Sequence, residues 1–220
     1  MSIRRAQRTA TRRRKPALAT RDESKQATRV ALIASGISLI HEQGLDGPSL
    51  DAICERAGYT RGAFYVHFRD RDDFIVAVMD SIGVVFMQTV LAGGFQSTVT
   101  RFLEAFADGS YPIGGPDGVV RTHQLLEACA RSSTIRERYV GLIAMCIDRV
   151  AGMVADDQHS GALRGSVGAR VIAEMMTALA IGLHTLRDLE VPIDLSAIVR
   201  GLQSLLDAHS LGGIGTRTKS

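Results

Sequence analysis

One eight-residue stretch, Thr60 to His67, carries a hydroxyl, a guanidinium, a phenol and an imidazole. These groups hydrogen-bond to flat polar ligands and to anions. A guanidinium in the position of Arg61 can pair bidentately with guanine O6 and N7, and Thr60 offers a methyl or a hydroxyl to a base edge. Nothing comparable points to catalysis: GxSxG, HExxH, P-loop and dinucleotide signatures are all absent. The six histidines are scattered, at 41, 67, 123, 159, 184 and 209. His123 and His184 lie in apolar helical context, where a pocket wall is the better expectation than a metal site. No cofactor is expected. Cys54, Cys129 and Cys146 are odd in number and widely spaced, which predicts reduced thiols in a cytoplasm.

The elements that must position these groups can be read from their punctuation. Ser49 caps a helix whose Leu50 and Ile53 face inward. Gly58 breaks it, and Thr60 caps a second short helix ending near His67 or Phe68. Two short helices hinged at a glycine form a helix-turn-helix, which lays its second helix in the DNA major groove. On that reading Tyr59 begins the second helix and can touch a base or a sugar. Gly62 allows the backbone to approach the duplex closely. Ser49 and the amides at its helix start can clamp a phosphate. Ala52, Ile53, Ala57, Ala63, Phe64 and Phe68 read as the module's core.

Upstream, Ala27, Val30, Ala34, Ile37 and Ile40 or His41 recur at helical intervals from Ser24 to Gln43. Asp22, Glu23 or Ser24 is the expected cap, and Gly44 stands at C′. Downstream, Asp70 caps a long amphipathic helix through Phe74, Val78, Ile82 and Phe86 to about Thr89, with Asp73 at the third position as an imperfect capping box.

The stretch from Ser49 and Ile53 through Ala57-Gly58, Thr60 to Phe68, and Arg69 to Phe74 resembles the TetR family of bacterial one-component regulators. The match covers about residues 24–80; Arg71 replaces a frequent Lys, and Asp73 and Phe74 replace Glu and Leu. The resemblance implies a three-helix DNA-binding module and a body of about six more helices that dimerises and binds an effector. It implies repression relieved by a small ligand, with phosphates held by Tyr65, His67 and Arg71. Arg69, in the charged turn, completes the candidate DNA-contacting set.

Charge divides unevenly. Residues 1–73 hold 14 Lys and Arg against 9 Asp and Glu, and the remainder 12 against 14, so the net +3 splits into +5 and −2. Residues 1–21, with eight cations and too few apolar residues to order, form a basic arm suited to extra phosphate contacts or a minor groove, or else a solubilising tail. Four segments follow from this: the arm (1–21), a DNA-binding module (22–69), a helical effector-binding and dimerisation body (70–210) and a tail (211–220). The Gly/Pro-rich stretch 109–118 interrupts the body. No sustained period-two alternation appears, so the chain is expected to be all-α.

In the body, Phe86, Phe102, Phe106, His123 and Met145 are candidate effector-pocket residues, the pocket being apolar and adaptable. The last two helices carry more apolar surface than one stripe against a core requires. Met175, Leu179, Leu183, Leu186, Ile198, Leu202 and Leu205 are candidate dimer contacts, making a four-helix bundle across a two-fold axis. No apolar run reaches the roughly 18 residues that span a bilayer, and the basic amino terminus lacks the apolar core of a secretory signal. The expected function is therefore a cytoplasmic, homodimeric regulator. It binds a pseudo-palindromic operator in double-stranded DNA and is released by a small apolar effector. The competing reading is a helical protein–protein adaptor built on the carboxy-terminal helices; a lipid- or small-molecule-binding enzyme is a third.

Overall fold

The computed structural model describes residues 20–108, 120–163 and 167–208. The expected arm up to residue 19, the Gly/Pro-rich stretch 109–118 and the tail 211–220 lie outside the described residues. Those described fold into helices without a strand: α1 (Arg21–Gln43), α2 (Leu50–Ala57), α3 (Arg61–His67), α4 (Arg71–Thr89), α5 (Phe95–Asp108), α6 (Thr122–Arg131), α7 (Ser133–Ser160), α8 (Ala169–Asp188) and α9 (Leu195–Ala208).

Local chemistry sets most of these limits. The α1 cap is Thr20, two residues before the expected set. Its hydroxyl accepts from the Glu23 amide at 3.2 Å, while its own amide donates to Glu23 Oε2 at 2.7 Å. This is a complete capping box, and it begins the helical module inside the segment expected to be arm. At α4, Asp70 accepts from the Asp73 amide at 2.8 Å, and the Asp73 carboxylate accepts from the Arg69 amide at 3.0 Å.

Burial of apolar surface then holds the helices together in two cores. The first contains Leu32, Ile40, Ile53, Phe64, Phe68 and Phe74, and it also takes Leu125, Ala128 and Cys129 from α6 and Ile135 from α7. The second joins Phe86, Val90 and Phe95 to Val150, Met153, Val154 and Ala173. Packing therefore runs past residue 69, and α4 gives its first half to one core and its end to the other. Polar ties reinforce the join between α6 and the α1–α2 turn. Gln124 accepts from the Leu45 amide at 3.4 Å, and Arg131 meets Asp46 at 2.6 Å.

By length and composition, α8 is apolar enough to cross a membrane, contrary to the expectation that no segment is. The isolated Glu174 and His184 interrupt its apolar run and hid this. Its Arg170 pairs with Asp148 of α7 at 2.7 Å, and Leu183 and Ala173 are buried against the body.

Candidate nucleic-acid interface

Helix α3 is held from beneath by aromatics. Phe64 is fully buried, with ring centroids 5.1 Å from Phe68 and 5.4 Å from Phe74. Phe68 and Phe74 meet edge to face at 5.0 Å. Such pairs add to the burial of their area, and they fix which arc of a seven-residue helix faces out.

The approach to α3 is equally determined. Gly58 ends α2 in the left-handed conformation (φ 75°, ψ 29°) that a side chain would disfavour. The next amide, of Tyr59, donates to Cys54 O at 2.9 Å. Tyr59 thus belongs to the turn, not to the helix start expected of it, because Thr60 is the cap. The Thr60 hydroxyl accepts from the Ala63 amide at 3.3 Å. In the same way Ser49 caps α2 through the Ala52 amide at 3.1 Å.

The outward arc carries Arg61, Gly62, Tyr65 and Val66, all exposed. Arg61 donates to the Tyr65 hydroxyl at 3.4 Å and lies 3.4 Å from an Asp51 oxygen. Both are long contacts at an exposed site. They aim the guanidinium outward at little cost to its release.

His67 is half-buried, and its pKa lies below the ordinary imidazole value. Burial is the main cause, and the charges of Lys25 and Arg29 add to it. At neutral pH it therefore offers a ring N–H without a charge. Lys25 and Arg29, one turn apart on α1, bring cations to this edge. Arg29 also stacks over the Phe68 ring at 5.1 Å. Sequence reading missed both; the i, i+4 spacing of two cations just inside the α1 cap is the signal that could have found them. Arg69 stays exposed beside Asp73, 3.7 Å from its carboxylate.

Arg71 departs from expectation. Its guanidinium donates to Pro48 O at 2.6 Å and to Leu45 O at 2.9 Å. The fork braces the α1–α2 turn, so these donors are spent inside the protein and not on a phosphate.

The expected effector residues scatter. Phe86 is packed in the second core, while His123 and Met145 lie on the surface, so these three line no shared pocket. Phe102 and Phe106 do meet, at 6.1 Å, with the His184 ring edge-on to both. Arg187 lies 4.3 Å over the Phe106 ring, donates to Phe106 O at 2.9 Å and contacts His184 Nδ1 at 3.1 Å. Burial, with help from Arg187, pushes the His184 pKa down to about 4. An open cleft of about 420 Å³ runs past Phe106, Ala107, Arg187, Glu190, Val191, Ile193 and Leu195. Of the expected pocket residues, Phe106 alone lines it. Among the described residues no cluster of His, Cys, Asp and Glu could hold a metal. The three thiols have raised pKa values from burial, Cys146 reaching about 11.

The expected dimer contacts also divide. Met175 and Leu186 are exposed, at 64% and 39%, and Leu179 and Ile198 are half-buried. Leu183 is 2% exposed. It packs within its own chain and is not a surface contact, because the inward face of α8 passes through it. The side chains of Leu202 and Leu205 lie outside the described residues.

Comparison with known proteins bears on the same segment. The family model described as bacterial regulatory proteins of the tetR family matches residues 32–78. The HTH-type transcriptional regulator YwcC of Bacillus subtilis (strain 168) is 38% identical over 56 residues, 26% of this chain and 25% of that one. The alignment thus spans about a quarter of each protein. Over greater lengths the likeness is one of fold. A TetR-family transcriptional regulator from Rhodococcus sp. superposes with a TM-score of 0.68 at 19% identity, covering 82% of this chain and 98% of that one. SmeT of Stenotrophomonas maltophilia, solved with triclosan, gives 0.63 at 21% identity, covering 88% and 97%. The matched segment holds α2, α3, the Gly58 turn and the Phe64–Phe68–Phe74 cluster, and over this module the chain matches the tetR family of bacterial regulatory proteins.

Proposed function

We propose that this chain is a ligand-responsive transcriptional regulator, a repressor that binds a pseudo-palindromic operator as a homodimer and is released by a small effector. The observation that carries the reading is the outward pair Arg61–Tyr65 on a helix immobilised by three buried phenylalanines. Arg61 reads a guanine edge. Thr60 and Gly62 let the helix close on the groove, and Tyr59, Tyr65, His67 and Arg69 make sugar and phosphate contacts. Ser49 holds the start of α2 against the backbone, and Lys25 and Arg29 extend the cationic edge onto α1.

The exposed apolar residues of α8, Val171, Met175 and Leu186, with Leu189 just after it, suit a second copy of the chain across a two-fold axis. A twofold dimer sets the spacing of its two reading heads and thereby selects half-sites one helical turn apart or a multiple of it. The effector is placed in the cleft at Phe106 and Arg187, where α5, α8 and the start of α9 converge. Its occupancy acts on the heads through α4, and through α6, whose first amide donates to the Asp188 carboxylate of α8. A ligand shifts such an equilibrium only by its differential affinity for the two arrangements.

The test is Arg61→Ala on a selected operator. Base preference at one position relaxes, and binding weakens by about 1–3 kcal/mol. Unchanged affinity and unchanged preference reject the base-reading role.

A further inference from the structure

Val66 is 63% exposed on a helix whose other outward side chains are polar. A β-branched residue gains little from an exposed helical position, and this one contributes to no core. One turn earlier stands Gly62, on the same face. A Cβ built there would meet only the Thr60 hydroxyl, at 3.6 Å, so the space above Gly62 is open. Gly62 and Val66 therefore make a shallow apolar notch beside Tyr65, continuous with the face that presents Arg61.

We propose that this notch takes the C5-methyl group of a thymine in the major groove, so that Val66 sets base preference together with Arg61. The thymine methyl is the apolar group that an unmodified base pair offers in that groove. The valine methyls supply the complementary contact, and the missing side chain at Gly62 lets the base edge approach. The inference rests on the DNA-reading function above.

The full-length chain is used to select duplexes from a random library. Each thymine of the selected site is then replaced singly by deoxyuridine, which removes only the methyl. Burial of one methyl corresponds to about a fourfold change in affinity, so one position per half-site loses about that factor. Val66→Ala abolishes this discrimination while leaving the thermal midpoint unchanged, because the side chain is exposed. Gly62→Ala fills the notch and abolishes it by a second route. Replacing a cytosine at the same position by 5-methylcytosine restores part of the contact for the wild type and not for Val66→Ala. Equal deoxyuridine losses in wild type and Val66→Ala overturn the inference, as does a site with no sensitive thymine. Failure to retain any duplex overturns the DNA-reading function itself, and this inference with it.

Discussion

Arg71 separates two accounts of the same positive charge. If its guanidinium belongs to the α1–α2 turn, then Arg71→Lys keeps the charge and loses the fork. A lysine presents one ammonium and cannot reproduce two parallel contacts to Leu45 O and Pro48 O, 2.9 and 2.6 Å away. Hydrogen bonds to a charged group are worth about 1.5–3 kcal/mol each. Both acceptors lie in a part-buried turn, with Pro48 among the fully buried residues, so solvent does not replace them freely. Losing one of the two contacts should cost about 2 kcal/mol, which for a chain of this size lowers the thermal midpoint by roughly 4–8 °C. Arg71→Met, which loses both, should cost more. The assay is thermal unfolding at fixed protein concentration, paired with operator binding over a range of salt. A phosphate contact predicts the opposite pattern. The Lys variant would be nearly silent, and the Met variant would flatten the slope of log affinity against log salt by about one ion. An unchanged midpoint for Arg71→Lys refutes the bracing role.

Three further outcomes follow from named contacts. Gly36→Ala in mid-helix ordinarily stabilises by up to about 1 kcal/mol, yet here the new Cβ would fall 2.3 Å from Phe74 Cζ, a ring with no room to yield. The sign should reverse, with a loss of about 1–3 kcal/mol in denaturant titration; a stabilised variant would show that Phe74 moves freely. The His184 pKa lies well below its unfolded value, from 6.5 down to about 4. Its contribution is fully present above pH 6.5 and is lost as pH falls through about 4, at most about 3 kcal/mol; His184→Gln should flatten that acid limb, and an unaltered limb rejects the assignment. Met175→Glu places a charge on the exposed α8 face and should yield monomers in sedimentation with weakened operator binding, whereas an intact dimer moves the interface elsewhere.

The reading head was legible because its chemistry is local. Ser49, Gly58, Thr60 and Asp70 each act within three or four residues of themselves, so the limits of α2, α3 and α4 could be read directly from sequence. The Thr20–Glu23 box was equally local but was hidden by reading the charge of Arg21 as part of the arm. What escaped depends on distant neighbours. Arg71 is basic in any reading, but its partners are carbonyls 23 and 26 residues away. On α8, apolar residues occur on most of the circumference, so periodicity alone could not tell buried Leu183 from exposed Met175. The cleft is assembled from the ends of α5 and α8 and the start of α9, and no stretch of sequence contains it.

The first core joins residues of the head to residues of α6 and α7 in one buried cluster. Leu125, Ala128 and Cys129 of α6 belong to the same buried core as the aromatic cluster that orients α3. Close-packed interiors have few continuous intermediate arrangements, so a shift of α6 must be absorbed by repacking or passed on. Its two polar ties end on Leu45 and Asp46, in the turn whose carbonyls Arg71 grips from the start of α4. The turn is thus held from two sides, by α4 and by α6. At the start of α6, Asp188 of α8 receives the Thr122 amide, close in sequence to the Arg187 that lines the cleft. A displacement of the end of α8 would therefore reach α6 through backbone as well as through packing. The exposed ion pair Arg131–Asp46 contributes little to stability by itself; with the Gln124–Leu45 contact it links the turn to α6.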